Sequence, residues 1–163
     1  MRSLGANHGS LVVGYGNPLR GDDGVGWVIA GRLVTDPRFA RTEVLQRHQL
    51  TPELAFEISR ANLVVLVDAR SGAPAGSVAI DRVDPTGASG TTWSHHLGPA
   101  TLVGLANELY GRAAEVHVVS VGVGSLEVGE GLTPAVEAAL PDAIDSIADL
   151  VARAGLLAGT GHA

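Results

Sequence analysis

The stretch NLVVLVDA, residues 62–69, runs through five consecutive apolar residues before it meets a carboxylate at Asp68. A strand that is apolar toward both of its faces needs cover on both, which is the habit of parallel sheets held between layers of helix. LVVGYG (11–16) reads as another buried strand, TEVLQRH (42–48) and AEVHVVSVGVG (114–124) as strands, and GSVAIDRV (76–83) as a weaker one. Helical patterns separate these runs. DDGVGWVIAGRLV (22–34) places Val25, Val28, Ile29 and Leu33 on one stripe, and Thr51 as N-cap with Pro52 at the first position opens PELAFEIS. LGPATLVGLANELYG (97–111) closes on Gly111. A terminal helix over 133–155 carries Pro141 as a kink point. Alternation of this kind predicts an α/β fold, a three-layer sandwich with a mainly parallel, twisted central sheet and helices on both faces. A single domain is expected over residues 11–155, with flexible tails at 1–10 and 156–163.

Composition narrows the chemistry. The formal charge is -6 and all eleven basic residues are Arg, so there is no basic stripe for nucleic acid and no polybasic segment for an anionic membrane. Without Lys there is neither a Schiff base nor a Walker-type phosphate clamp. Without Cys there is no disulfide, no thiolate ligand and no thiol nucleophile. Residues 1–10 lack the apolar core of a signal peptide, and no apolar run approaches the roughly 18 residues that span a bilayer, so a cytoplasmic address is expected.

In open parallel sheets, ligands bind beyond the carboxyl ends of the strands, where strand order reverses. That rule selects Asn17 to Asp23, His48, Asp68 to Ser71 and the turn from Gly122 to Glu127. The first of these loops, GYGNPLRGDDGVG, is not a dinucleotide fingerprint, because Leu19 stands where the third glycine belongs. Asp22 and Asp23 at a helix start would also repel a phosphate and favour a cation. Either aspartate can instead cap the helix, a role that stabilises by about 0.5–2 kcal/mol. Gly24 and Gly26, each costing up to about 1 kcal/mol against Ala in a helix, point to close approach of something to this backbone. Asp68, ending an apolar strand, needs a partner: a metal, an Asx-type turn or a salt bridge such as one to Arg70. In WSHHLGPAT, His95 and His96 precede a helix start and are either ligands or solvated side chains. Two carboxylates and an imidazole on three converging loops would make an open site of oxygen and nitrogen donors, with positions left for water or substrate. No H-E-x-x-H helix and no G-x-S-x-G elbow competes with it.

The blocks GYGNPLRGDDGVG, LVVLVDA, SHHLG and VGVGSLEVGEGLTPAV, in this order over residues 11–150, resemble those of the hydrogenase maturation proteases, which process the large subunit of nickel-iron hydrogenases. The resemblance implies a metal-dependent, nickel-sensing endopeptidase whose acidic residue in the first loop, aspartate after the central strand and histidine in the later loop fall on Asp23, Asp68 and His95. These three are expected to be both metal ligands and catalytic residues, with Asn17, Asp22 and His96 beside them touching substrate. Relatives can carry Glu at the first position, so Asp22 and Asp23 both stay open as its counterpart. The implied nickel is supplied by the substrate, a hydrogenase large-subunit precursor that loses a short C-terminal extension. Another divalent ion can take the same place in the isolated protein, because affinity alone does not choose nickel. A monomer is expected. The rival readings are a non-catalytic metal-binding maturation chaperone and a generic metallohydrolase on the same scaffold.

Overall fold

The computed structural model describes residues 9–84, 97–127, 129 and 131–159. Among these residues five strands form one sheet: β1 (Ser10–Tyr15), β2 (Glu43–Arg47), β3 (Leu63–Arg70), β4 (Val78–Arg82) and β5 (Glu115–Gly122). Their spatial order is β2-β1-β3-β5-β4. The first four in that order run parallel, and β4 joins β5 antiparallel as an edge strand. The α/β sandwich expected from the alternation is therefore present, with one antiparallel edge that the local pattern of residues 76–83 did not signal. β3 lies at the centre, and Leu63 to Val67 are all buried, which is why this strand needs apolar residues at every position. β4 is half-exposed, and Ile80 remains 45% accessible, so its weaker pattern belongs to a sheet edge.

Among the described residues four helices cover the sheet: α1 (Val25–Leu33), α2 (Leu54–Arg60), α3 (Pro99–Tyr110) and α4 (Pro134–Gly159). On one face Val25, Ile29 and Leu33 of α1 and Val136, Leu140, Ala143 and Ile147 of α4 pack against Val12, Val65, Val67, Val119 and Val121. On the other, Leu54 and Ile58 of α2 and Leu102, Val103 and Ala106 of α3 pack against Leu11, Val13, Val64, Leu66 and Val116. Successive strand residues thus feed alternate cores, as the period of two requires.

Several boundaries differ from the sequence reading. The helix expected from Asp22 opens as a tight 3-10 turn over Gly21–Gly24, and regular α-helix begins only at Val25. Tight bonds from Leu54 N–H to Thr51 O and from Ala55 N–H to Pro52 O likewise precede α2. Gly111 ends α3 as expected, in the left-handed conformation at φ 69° with its N–H on Asn107 O. The terminal helix continues to Gly159, past the stop expected at Gly155, and Pro141 lies inside it. Gly155 does not stop it, since the Ala and Leu residues around it are strong helix formers that carry the helix on. At the other end, Gly9 O accepts N–H groups from Asn62 and Leu63, so ordered pairing begins before residue 11.

Candidate active site

Strand order reverses between β1 and β3, since the chain leaves β1 for β2 on one side and returns to β3 on the other. The carboxyl ends of these two strands therefore open onto the crevice where parallel sheets bind ligands. The loop after β1 enters it through Gly16, whose φ of 143° only glycine adopts without strain and whose missing side chain makes room for the Asp23 carbonyl. Asn17 then turns the chain twice: its side-chain Oδ1 accepts Leu19 N–H at 2.9 Å and its carbonyl accepts Arg20 N–H at 3.1 Å.

The two adjacent aspartates have opposite fates. Asp22 is fully buried at 0% exposure. Its Oδ2 accepts Gly124 N–H at 2.9 Å, Ser125 N–H at 3.0 Å and the Thr133 hydroxyl at 2.8 Å, and its Oδ1 accepts Thr133 N–H at 2.7 Å. Burial alone would raise this carboxyl, but the donors from Thr133, Gly124 and Ser125 outweigh it and hold it below the ordinary carboxylate range. The expectation that Asp22 touches substrate is corrected on this ground: its oxygens are spent inside the protein, joining the first loop to the start of α4. The backbone repeats the link, with Gly21 N–H on Gly129 O and Gly129 N–H on Leu19 O, both at 2.8 Å.

Asp23 is half-buried, and one of its oxygens accepts Asn17 N–H at 3.0 Å, a single use of the roughly four lone-pair sites a carboxylate offers. Of the two candidates for the first-loop acid, it is the one that Asp22's burial leaves. Asn17 is beside it, half-buried, with its side-chain oxygen turned to its own loop. The close approach inferred from Gly24 and Gly26 is real, but the approaching groups belong to this chain. A methyl at Gly24 would sit 2.6 Å from Pro18 Cα, and one at Gly26 would meet the carbonyls of Tyr15 and Val67. These glycines let the start of α1 lie directly on β1 and β3, and so set Asp23 close over the sheet.

Asp68 ends the apolar part of β3 half-buried, and its Oδ1 accepts the N–H of the next residue, Ala69, at 2.7 Å. It is not tied to Arg70, whose guanidinium extends 3.9 Å from Asp81 instead. Burial pushes the Asp68 carboxyl up to about 6; hydrogen bonds from Tyr15 and Ala69 oppose the rise, and the negative charge of Asp23 adds to it. Asp23 and Asp68, 45 positions apart in sequence, therefore sit close enough in the crevice to feel each other's charge. Such a pair is a natural seat for a cation, which would neutralise both groups at once. Tyr15, which the sequence reading took as part of a buried strand, donates its hydroxyl to Asp68. The only local sign of it was an aromatic residue with a polar tip at the carboxyl end of β1.

His95 and His96 lie outside the described residues. Among the described residues no three His, Asp or Glu side chains are grouped to hold a metal ion. The chain is described again from Leu97, which packs beneath α2 and α3 just before Gly98 and the start of α3. His48, which also ends a strand, stacks on Trp27 with ring centroids 4.8 Å apart. No helix among the described residues is long and apolar enough to cross a membrane.

No family model matches the sequence. No curated protein matches it either. Solved structures do. The hydrogenase maturating endopeptidase HybD from E. coli is 26% identical, with a TM-score of 0.69 over 90% of this chain and 93% of that one. An endopeptidase from Escherichia coli, solved in solution, is 25% identical with a TM-score of 0.64 over 85% of this chain and 88% of that one. The NiFe hydrogenase maturation protease HycI from Thermococcus kodakarensis shares the fold at a TM-score of 0.71, with 23% identity over 88% of this chain and 92% of that one. With the sheet order, the loop that carries Asp23 and the aspartate on the central strand all in place, the chain shares over almost its full length the fold of solved hydrogenase maturation endopeptidases.

Proposed function

We propose that this protein is a hydrogenase maturation endopeptidase that removes the C-terminal extension of a nickel-loaded large-subunit precursor. The observation that carries the reading is the meeting of Asp23 and Asp68 at the β1/β3 crevice, on a fold shared with an enzyme named as a hydrogenase maturating endopeptidase. Two carboxylates with no compensating cation are an unfavourable pair: burial chiefly, with the charge of Asp23 adding to it, leaves Asp68 holding its proton up to about pH 6. A precursor that brings nickel into the crevice relieves that repulsion, while one without nickel does not. Binding energy is thereby reserved for loaded substrate, and metal loading becomes the condition for cutting.

In this reading Asp23 supplies an oxygen donor from the loop after β1 and Asp68 another from the end region of β3, and His95 supplies the third, nitrogen donor. The nickel is substrate cargo, held jointly by these residues and by ligands of the precursor. Asp68 or Asp23, beside the metal position, is the candidate to take the proton of the attacking water. The Asp23 loop, packed onto β1 and β3 and tied to α4 through Asp22, gives the crevice a rigid floor against which the peptide can be aligned.

Mass spectrometry of a nickel-loaded precursor tests the proposal. Incubation with this protein should shorten the precursor at its C-terminus, and Asp23→Ala, Asp68→Ala and His95→Ala should each stop the cut while keeping the native circular dichroism spectrum. Precursor of unchanged mass in the presence of the folded wild-type protein would move the assignment to a maturation chaperone. Cleavage of unrelated peptides would move it to a generic metallohydrolase.

A further inference from the structure

Tyr15 ends β1, and Asp68 lies on the neighbouring parallel strand β3, two residues before its end. Gly14 of β1 is in register with Val67 of β3, so Tyr15 and Asp68 stand side by side one step further on. Two residues earlier on each strand, Val13 and Leu66 point into the core beneath α2 and α3, and the period of two sends Tyr15 and Asp68 to that same face. The Tyr15 ring packs against this core and its hydroxyl donates to the Asp68 carboxylate. A second donor, Ala69 N–H, holds Asp68 Oδ1 at 2.7 Å. The carboxylate thus has a donor from its own strand and the Tyr15 hydroxyl beside it on the neighbouring strand. For packing alone a phenylalanine would serve at position 15, whereas the hydroxyl adds a bond to this one side chain.

We propose that Tyr15 is a positioning residue for Asp68: through its hydroxyl it holds the carboxylate in the orientation that shares a cation with Asp23. The inference rests on the reading of Asp68 as a ligand. Groups that orient a ligand in this way are generally worth 10–100-fold in metal affinity or activity, although they never touch the metal. Tyr15 acts at a distance from the reacting atoms, so its effect must pass through Asp68 and vanish when Asp68 is gone.

A double-mutant cycle decides the matter, with wild type, Tyr15→Phe, Asp68→Asn and the double variant titrated by calorimetry with Ni²⁺ alone and assayed on loaded precursor. Tyr15→Phe keeps the ring, so its thermal midpoint should stay within a few degrees of wild type. Its Ni²⁺ affinity should fall about tenfold, and kcat should fall more than KM rises. In the Asp68→Asn background the same change should have no further effect. Equal Ni²⁺ affinity and cleavage in wild type and Tyr15→Phe would overturn the proposal, as would an equal loss in both backgrounds. Wild-type protein that binds Ni²⁺ no better than Asp68→Asn would remove Asp68 as a ligand and the inference with it. Wild-type protein that binds Ni²⁺ and shows the cycle, but leaves the precursor whole, would keep Tyr15's role and refute the maturation reading instead.

Discussion

Asp68 carries a cost in the folded protein. Burial and the charge of Asp23 raise its carboxyl from the usual 3.8 to about 6, despite the opposing bonds from Tyr15 and Ala69. For an acid with a raised folded pKa, the native state holds its proton more tightly than the unfolded chain does. The stability it contributes is therefore full below pH 3.8, is lost as pH rises toward 6, and stays lost above it. Removing the charge should recover part of that loss. Asp68→Asn is expected to raise the free energy of unfolding at pH 7.5 by up to about 3 kcal/mol, at about 1.4 kcal/mol per pKa unit, and by little at pH 4. Urea unfolding at the two pH values checks this, and a variant that is less stable at both would show that the aspartate is a structural group.

At the scale of elements, α1 lies on the sheet as closely as backbone allows. Gly26 faces the carbonyls of Tyr15 and Val67, and Gly14 beneath it faces the Gly26 carbonyl and Ala30 Cβ. Alanine is the better helix former, yet Gly26→Ala should destabilise by about 2–4 kcal/mol, because its methyl would lift α1 from β1 and β3. Gly155 in α4 meets nothing within 4 Å, so Gly155→Ala should stabilise by about 0.5–1 kcal/mol. Thermal midpoints of the two variants, moving in opposite directions from wild type, test this contrast between close packing and helix propensity. A neutral Gly26→Ala would mean that α1 can shift without loss. The strands themselves were largely legible, since β1, β2, β3 and β5 lie within a residue or two of the apolar runs that announced them. The start of α1 was not: a 3-10 turn gives Asp22 and Asp23 different directions, and nothing in a pair of identical residues says which one turns inward.

For the molecule as a whole, the buried Asp22 joins segments that are far apart in the chain. Its carboxylate bonds Thr133, 111 positions away, and with Gly124 and Ser125 ties the site loop to the start of α4. Because its folded pKa is depressed, the stability it contributes is present above about pH 4 and is lost as the pH falls through the folded value. Asp22→Asn should cost about 2–4 kcal/mol at pH 7, since the amide cannot accept from all four donors, and should flatten the acid limb of the stability curve. Hydrogen exchange should show the amides of Gly124, Ser125 and Thr133 losing protection ahead of the central strands. Protection unchanged at these three amides would mean that the link is not held by this side chain.

Taken alone, the sequence established the layers of this protein and the loops worth watching, because hydrophobic period, turn residues and helix ends are local properties that each segment carries with it. It also put Asp23 and Asp68 forward, through carboxylates at the ends of apolar runs and through a family resemblance in four ordered blocks. Only the tertiary structure decided that β4 runs antiparallel at the edge, that Asp22 is buried while Asp23 faces the crevice, and that the Tyr15 hydroxyl reaches Asp68. Each of these depends on which residue of a distant segment arrives alongside. A buried charge is tolerated only where such a segment brings its donors, and for Asp22 they come from more than a hundred residues away.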